Sequence, residues 1–321
     1  MRTVLAFDFG ASAGRAILGR FDGEKITCEE LRRFDNVPIR EKGHLAWDFF
    51  TLLKEVEKVI DKCGKVDSLA FDTWGVDYGL LAENGCLMSL PVNYRDPRTK
   101  GVPEKAFRRI SPEKLYVATG NQIMPINTLF QLMAESGKSL ESKTMLFMPD
   151  LFAWALCGSR TVDKTIASTS QMVNPHTGNW DHGITALTPF PAAFFPEIVD
   201  CATVCGEHKG IPVLKAAGHD TQCAVAAMPW DGIGEAAFLS CGTWSLIGCE
   251  LEKPILTRRS MEDELSNEIG ANNQINYLKN ISGLWLIQEI RKNFREEGRE
   301  YSYNDMEQLA RIEPSFACFI D

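Results

Sequence analysis

The sequence predicts an α/β fold in which a mixed β-sheet carries helices on its faces. Strand-like segments joined by short turns fill the first 34 residues, an amphipathic helix follows over 44–64, and another buried strand follows over 68–74. Three antiparallel strands, a crossover helix and a strand parallel to the first are typical of a mixed sheet.

Local signals support the first elements. Asp22-Gly23 separates two strand-like segments, 15–21 and 25–34, and predicts a hairpin turn. Asp48 is placed to cap the following helix and Gly64 to end it. The apolar side chains of that helix recur at three-to-four spacing, at Trp47, Phe50, Leu53, Val56 and Ile60.

Further elements follow from the same kinds of pattern. Asn84-Gly85 predicts a hairpin between strands at 77–81 and 86–93. The apolar segment 149–157 predicts a helix that ends at Gly158. We also expect a strand over 211–217 and helices over 223–228 and 282–295.

Composition limits the kinds of function. A length of 321 residues suggests two domains, which we place at 1–232 and 233–321. The net charge of −9 argues against nucleic acid or an anionic membrane as the main partner. The ten cysteines are scattered with no C-x-x-C pair, and no segment has the length of a signal peptide core or a membrane span. We therefore expect a cytoplasmic, reduced protein.

The opening hairpin, 3–18, is the first candidate functional site. Its first strand carries one carboxylate, Asp8, and a turn of small residues follows at 10–14. Small residues allow a ligand to approach the backbone, and successive N–H groups in such a turn can bind an anion. A neighbouring carboxylate can hold Mg²⁺ that also contacts phosphate. The pattern is equally compatible with an ordinary tight turn and a surface Asp.

The same turn also matches G-x-S-x-G, the nucleophile elbow of serine hydrolases, with Ser12 as the nucleophile. That elbow requires a helix after the serine, whereas this sequence continues into a second strand. Position 12 also leaves no upstream loop to supply half of an oxyanion hole. We rank the hydrolase hypothesis well below the phosphate site.

The second half repeats this plan. A strand over 211–217 leads into Gly218-His219-Asp220-Thr221 and then a helix, so Asp220 lies where a strand ends and a helix begins. Asp220 or Thr221 could serve only as a helix cap. After a Gly-rich linker at 229–235, segment 236–251 again reads strand, small polar turn, strand. Two such hairpins predict a pseudo-duplicated protein that holds a phosphate chain between its halves.

The motifs DFGASAGR, FDTWGVD, NYRDPRT, GHDT, CGTWSL and LKNISGLWLIQ resemble those of the FGGY sugar-kinase family over residues 3 to 295. The resemblance implies an actin-like ATPase (ribonuclease H-like) fold and ATP-dependent phosphoryl transfer to a ketose. The motif wording favours the 1-hydroxyl of L-rhamnulose, with fuculose and xylulose as alternatives. The partners implied are the sugar and MgATP, without nucleic acid or membrane, and the oligomeric state stays open.

The resemblance also implies roles for particular residues. Asp220 would be the catalytic base and Asp8 would hold Mg²⁺ through water. The sugar would contact Gly75, His219, Asp220, Thr221 and Asn280. The nucleotide would contact Ala11, Ser12, Ala13, Gly14, Arg15, Thr243 and Gln288.

One departure from the family concerns length. Family members continue beyond residue 321, and the apolar segment 316–321 resembles a strand cut off at its end. We expect the second domain to be incomplete and the residues that hold adenosine to lie beyond it. Three hypotheses stay open at this point: an active sugar kinase, a sugar-binding fragment with turnover near background, and a serine hydrolase.

Overall fold

The computed structural model describes residues 1–230 and 236–315. In chain order the first elements are β1 (Arg2–Phe9), β2 (Ala13–Phe21), β3 (Ile26–Asp35), β4 (Ile39–Glu41), β5 (His44–Ala46), α1 (Phe49–Ile60), β6 (Ser68–Thr73) and β7 (Tyr78–Leu81). The middle of the chain contains α2 (Val102–Ala106), α3 (Pro112–Thr119), α4 (Thr128–Met133), β8 (Thr144–Phe147), α5 (Met148–Cys157), β9 (Val162–Asp163) and α6 (Lys164–Ser168).

The next elements are β10 (Val173–Asn174), β11 (Asn179–Trp180), α7 (His182–Thr185), β12 (Ile198–Val199), β13 (Val204–His208), β14 (Ile211–His219) and α8 (Asp220–Ala226). The last are β15 (Phe238–Cys241), β16 (Trp244–Leu251), α9 (Arg258–Glu262), β17 (Leu265–Ile269), β18 (Ile275–Ser282), α10 (Trp285–Glu296) and α11 (Tyr303–Ile312). The predicted strand over 316–321, and 231–235 of the predicted linker, lie outside the described residues.

The central sheet is mixed, as the sequence predicts. Its strand order is β13-β14-β6-β1-β2-β3. β2 pairs antiparallel with β1 and β3, whereas β6 pairs parallel with both β1 and β14. In this register Asp8 lies opposite Asp72, and His219 lies opposite Thr73. The carboxyl ends of β1, β6 and β14 therefore meet at one end of the sheet.

An aromatic cluster covers one face of this sheet. Phe9 of β1 and Phe71 of β6 point to the same side and are buried. The ring of Phe152 on α5 lies 4.4 Å from that of Phe9, 5.4 Å from that of Phe71 and 5.1 Å from that of Phe49 on α1. Stacked aromatic rings of this kind bury large apolar areas and fix α1 and α5 against the strands.

The predicted helix signals are confirmed. The Asp48 side chain accepts a hydrogen bond from Thr51 N at 3.2 Å where α1 begins. Helix α1 ends at Ile60, shortly before Gly64, and α5 ends at Gly158 in the left-handed conformation that favours glycine.

The hairpin predicted at Asn84-Gly85 is only partly correct. The turn forms, and Gly85 has a φ of 80°, but segment 86–93 contributes only isolated bridges at Leu87 and Val92. β7 instead pairs antiparallel with β8. Both strands are almost completely buried, and segment 86–93 keeps one bridge to β7, between Leu87 and Leu81.

The described chain divides into two compact units. The first contains Met1–Ser240 and Leu246–Asn280, and the second contains Cys241–Ser245 and the described residues from Ile281 onward. A second sheet has the order β15-β16-β18-β17, and the β17–β18 hairpin is an element that the sequence analysis did not predict. Within 1–230 and 236–315, no helix is long and apolar enough to cross a bilayer.

Replacing Phe152 by alanine should reduce the free energy of unfolding by about 3–5 kcal/mol, because the cavity would lie between three aromatic rings. Phe50→Ala is the matched control, since Phe50 is 49% exposed and should cost less than about 1 kcal/mol. Urea unfolding measures both losses of free energy, provided that the slope of the unfolding free energy against urea concentration is the same in both variants. Equal losses in the two variants would contradict this account of the core.

Candidate active site

Three carboxylates gather where the parallel strands end. Asp8 is in β1, Asp72 is its register partner in β6, and Asp220 begins α8 directly after β14. Burial raises the pKa of Asp72 well above its ordinary value, and the negative charges of Asp8 and Asp220 raise it further. Asp72 has no role among the residues predicted from the sequence, although it occupies the same strand-end position as Asp8.

Arg15 balances part of this charge. It lies opposite Asp8 in the β1–β2 register and forms an ion pair with the Asp8 carboxylate. Both side chains are partly exposed. The pair therefore places a guanidinium, which binds phosphate well, at the end of the sheet.

The predicted phosphate loop is shorter than expected. Ala11 and Ser12 form the turn, but Ala13, Gly14 and Arg15 already belong to β2. Gly14 also has a packing role, because a Cβ there would lie 2.3 Å from a ring carbon of Phe34. Small residues at this hairpin are thus required by packing of the core, whether or not a ligand binds there.

Asn36 fixes the turn from outside. Its Nδ2 donates to the Gly10 carbonyl at 2.9 Å and its backbone N donates to the Ser12 carbonyl at 3.1 Å. Because Ser12 lies in a turn between two antiparallel strands, no helix follows it and the nucleophile-elbow geometry is not met.

Asp220 is the first residue of α8, and the capping position belongs to His219. The Asp220 Oδ1 accepts from Thr221 N at 2.6 Å and from Thr221 Oγ1 at 3.3 Å. Although 36% of its side chain remains exposed, burial raises the pKa of Asp220. The charge on His219 and the Thr221 hydrogen bonds lower it, whereas Asp8 raises it again. A carboxylate with a raised pKa accepts a proton more readily near neutral pH.

Two buried side chains, Asp163 and Thr165, hold the backbone that leads to Asp220. The register of β14 against β6 shifts between Lys215 and His219. Within that irregular segment, the Gly218 N donates to Asp163 Oδ1 at 2.9 Å and the His219 N donates to Thr165 Oγ1 at 3.4 Å. These bonds satisfy N–H groups that the shift removes from the strand ladder.

Gly75 lies in a strained loop. A Cβ at Gly75 would lie 3.2 Å from Thr169 Oγ1, and the next residue, Val76, has a φ of 68°, which is rare for a β-branched residue. The Val76 N donates to Thr169 Oγ1 at 3.1 Å, and Thr128 Oγ1 donates to the Val76 carbonyl at 2.7 Å. Strain of this kind persists where surrounding contacts impose it, often at functional sites.

Asp77 anchors the same loop. Its Oδ2 accepts from Trp47 Nε1 at 2.6 Å, from Trp74 Nε1 at 3.0 Å and from Tyr94 N at 3.1 Å, and its Oδ1 accepts from Gln131 Nε2 at 3.0 Å. Burial raises the pKa of Asp77 to about 6, against the lowering effect of these four donors. From the sequence, Asp77 was predicted only as the start of a strand, so this role is new.

The remaining predicted residues lie in two places. Asn280 is on β18 in the first unit, and its Nδ2 donates to Gln122 Oε1 at 3.2 Å. Thr243 and Gln288 belong to the second unit. There the Thr243 carbonyl accepts from Trp285 N at 3.2 Å, and Gln288 lies in the first turn of α10.

The same three carboxylates are candidate metal ligands. Among the residues that the structure describes, no three His, Cys, Asp or Glu side chains form a cluster that would hold a metal alone. Mg²⁺ usually binds one or two carboxylates, substrate phosphates and several waters. The crowded oxygen donors of Asp8, Asp72 and Asp220 therefore fit an ion that arrives with phosphate, rather than an all-protein metal cage.

Comparison with known proteins gives the family. The sequence pattern for the "FGGY family of carbohydrate kinases, N-terminal domain" matches residues 3–234. The chain belongs to the FGGY family of carbohydrate kinases. This assignment confirms the predicted family and leaves the serine hydrolase hypothesis without support.

Curated FGGY relatives extend beyond the matched domain. The chain is 36% identical to a rhamnulokinase of Enterococcus faecalis, over 100% of this chain and 67% of that protein. It is 37% identical to a rhamnulokinase of Oceanobacillus iheyensis, over 99% of this chain and 70% of that protein. The chain thus spans about two thirds of the length of these relatives.

Solved FGGY-type structures share the fold. A xylulose kinase from Lactobacillus acidophilus superposes with a TM-score of 0.79 at 16% identity, over 98% of this chain and 67% of that one. A Plasmodium falciparum glycerol kinase with ADP gives a TM-score of 0.72 at 14% identity, over 91% of this chain and 64% of that one. The predicted fold class is confirmed.

Replacing Asp77 by asparagine should change how stability depends on pH. The folded pKa of Asp77 is about 6 against 3.8 for an ordinary Asp, so the folded chain binds this proton more tightly than the unfolded chain. Its contribution is therefore greatest below about pH 4 and declines as the pH rises to about 6. The stability of the unmodified chain relative to Asp77→Asn should fall by on the order of 2–3 kcal/mol across that window.

Urea unfolding of both proteins at several pH values measures this difference. Asp48→Asn serves as the control, because it makes the same substitution at an exposed helix start, where asparagine can also cap the helix. A constant difference between the Asp77→Asn variant and the unmodified chain would rule out a raised pKa at Asp77.

Proposed function

We propose that the chain acts as an ATP-dependent sugar kinase that phosphorylates the 1-hydroxyl of L-rhamnulose, giving L-rhamnulose 1-phosphate. The observation that carries this proposal is the position of Asp220, a carboxylate with a raised pKa beside Asp8 and Asp72. The two relatives named as rhamnulokinases support the choice of sugar. We also propose that residues 1–232 form the N-terminal kinase domain, with the sugar site and phosphate loop, and that residues 233–321 begin the C-terminal domain.

The transfer step needs one proton acceptor. Asp220 takes the proton of the sugar 1-hydroxyl while the hydroxyl oxygen forms a bond to the γ-phosphorus of ATP. The bond from that phosphorus to the bridging oxygen breaks, and its electron pair leaves with ADP. Phosphoryl transfer otherwise depends on positioning and charge neutralisation, so few other reactive groups are required.

The nucleotide and the metal would use separate groups. Ala11, Ser12, Ala13, Gly14 and Arg15 would face the phosphates, and Asp8 would hold Mg²⁺ through water. When bound, Mg²⁺ neutralises phosphate charge. Thr243 and Gln288 would contribute further nucleotide contacts.

The sugar would lie between strand ends of the first unit. Gly75 offers a close backbone approach, and the strained Val76 beside it is held by Thr128 and Thr169. His219 and Thr221 flank the base, and Asn280 is held by Gln122. Cytoplasmic location is part of the same proposal, since the sugar and ATP are found there.

Asp220→Asn should reduce phosphoryl transfer by roughly 10²–10⁴-fold, because it keeps the side-chain shape and removes the proton acceptor. Sugar binding, measured by calorimetry, should survive. Asp181→Asn is the matched control, since Asp181 accepts from Gly183 N at 2.9 Å at another helix start. Normal turnover by the Asp220 variant would mean that the base lies elsewhere.

The sugar is tested separately from the mechanism. ADP release should be measured with L-rhamnulose, L-fuculose and D-xylulose at equal MgATP concentrations. We expect the highest kcat/KM for L-rhamnulose. A preference for xylulose would overturn the proposed substrate, and release with none of the sugars would overturn kinase activity for this chain.

A further inference from the structure

An ion pair is buried beside the strand that leads to Asp220. Lys215 of β14 donates from Nζ to Asp150 Oδ1 at 2.6 Å, and the two side chains are only 3% and 1% exposed. Asp150 lies in the first turn of α5. The Lys215 Nζ also donates to the Thr161 carbonyl at 2.8 Å. Because neither charge can reach bulk water, each depends on these protein partners.

One oxygen atom of Asp150 connects two parts of the chain. Besides Lys215, the Asp150 Oδ1 accepts from the backbone N of Asp163 at 3.2 Å. The Asp163 side chain in turn accepts from the Gly218 N at 2.9 Å. Two positions of β14, one at Lys215 and one at Gly218, are therefore attached to the same small group of buried atoms.

These two attachments enclose the irregular part of β14. Lys215 is the register partner of Phe71 and His219 is that of Thr73, so β14 takes four steps where β6 takes two. Over this segment the regular strand ladder is interrupted, and side-chain bonds have to fix the path of the backbone. The residue that follows His219 is the candidate base.

Close packing restricts the same segment. A Cβ at Gly218 would lie 3.0 Å from Pro149 Cγ on α5 and 3.4 Å from Ile166 Cβ on α6. The backbone at Gly218 therefore lies directly against both helices. The ion pair holds one end of the irregular segment, and the Asp163 bond and this packing hold the other end.

The ion pair is poorly suited to stabilise the fold. The second carboxylate oxygen of Asp150, Oδ2, is buried and has no hydrogen-bond partner among the residues that the structure describes. Burial raises the pKa of Asp150 to about 6, although Lys215 lowers it. Apolar pairs of similar volume often replace a buried ion pair without loss of stability. A role in fixing geometry therefore explains the pair better than a role in stability.

We infer that Asp150 and Lys215 are positioning residues for phosphoryl transfer: their ion pair fixes segment 216–219 of β14 and thereby the place of the Asp220 carboxylate. The inference rests on the proposed function. Because both side chains are buried, neither can contact a reactant, and they act through the backbone of β14. Displacing a catalytic group by about 1 Å can reduce a rate by about 100-fold, so a small shift of this segment is sufficient.

The first test needs no turnover and uses the double variant Asp150→Leu/Lys215→Met, which removes both charges and keeps an apolar filling. Amide hydrogen exchange at Gly218, followed by NMR, should become about 10-fold faster, because the Asp163 acceptor loses its support. The urea midpoint should stay the same or rise. Unchanged exchange at Gly218 in the folded variant would overturn the inference.

The matched control is Asp61→Leu/Lys209→Met. This ion pair also has an N–O distance of 2.6 Å, but both side chains are more than half exposed and Lys209 precedes the regular start of β14. The same two substitutions there should leave exchange at Gly218 and the kinetic constants unchanged. Faster exchange at Gly218 in this control would show that the effect is not specific to the buried pair, and would also overturn the inference.

The second test compares kcat with KM in the kinase reaction. Asp150→Leu/Lys215→Met should lower kcat by about 10- to 100-fold, because the proton acceptor is displaced. The KM for the ketose should change little, since Gly75 and Asn280 stay in place. A normal kcat would contradict the inference. A kcat that falls only in proportion to the folded fraction would indicate a structural role and contradict it too.

A second variant, Asp150→Asn/Lys215→Met, covers the case in which the first does not fold. Asparagine keeps an oxygen for the Asp163 N, whereas methionine removes the bond that holds β14. Faster exchange at Gly218 and a lower kcat are expected again, and the absence of both would overturn the inference. If the unmodified chain releases no ADP with any ketose, the proposed function fails, while exchange at Gly218 still decides whether the ion pair holds β14.

Discussion

Parallel pairing of β1 and β14 with β6 determines the chemistry available to this molecule. The pairing places Asp8 opposite Asp72 and brings the end of β14, and hence Asp220, to the same end of the sheet. Burial, and after it the negative charges of Asp8 and Asp220, raises the pKa of Asp72 well above its ordinary value. Arg15 on β2 lowers the pKa of Asp72, and His219 at the end of β14 lowers that of Asp220.

Other buried carboxylates act as anchors. Asp77 accepts hydrogen bonds from two indole N–H groups at the loop that contains Gly75. Asp163 accepts one from the backbone that leads to Asp220, and Glu268 accepts one from Gln222 beside His219. Each satisfies donors that would otherwise be buried without partners, a situation that costs about 1–3 kcal/mol per group. The site is thus held by hydrogen bonds at the places where regular strand pairing stops.

Features that depend on neighbouring residues were predictable from the sequence. The cap at Asp48, the helix end at Gly158 and the turn at Asp22-Gly23 each follow from local backbone chemistry, and the structure has all three. The family motifs also placed Asp8, His219 and Asp220 at strand ends, where the structure brings them together.

Features that depend on distant residues were missed. The pairing of β7 with β8 joins Tyr78 to Phe147, and no local pattern distinguishes that partner from the segment after Asn84-Gly85. Glu268 reaches His219 from a hairpin that the sequence analysis did not recognise. Long-range partners of this kind are decided by burial and sheet order, which a single sequence does not display.

The strand order also has a consequence for folding during synthesis of the chain. β1, β2 and β3 are consecutive and β6 follows within the first 73 residues, so this part of the sheet can form while the chain is still being synthesised. The edge of β6 that faces away from β1 stays unpaired until β14 has been synthesised, because β14 is the strand that pairs there, with His219 opposite Thr73. A ribosome that pauses between these strands would leave a sheet edge open to pairing with another nascent chain. Docking of β14 closes that edge and assembles the carboxylate cluster in the same event.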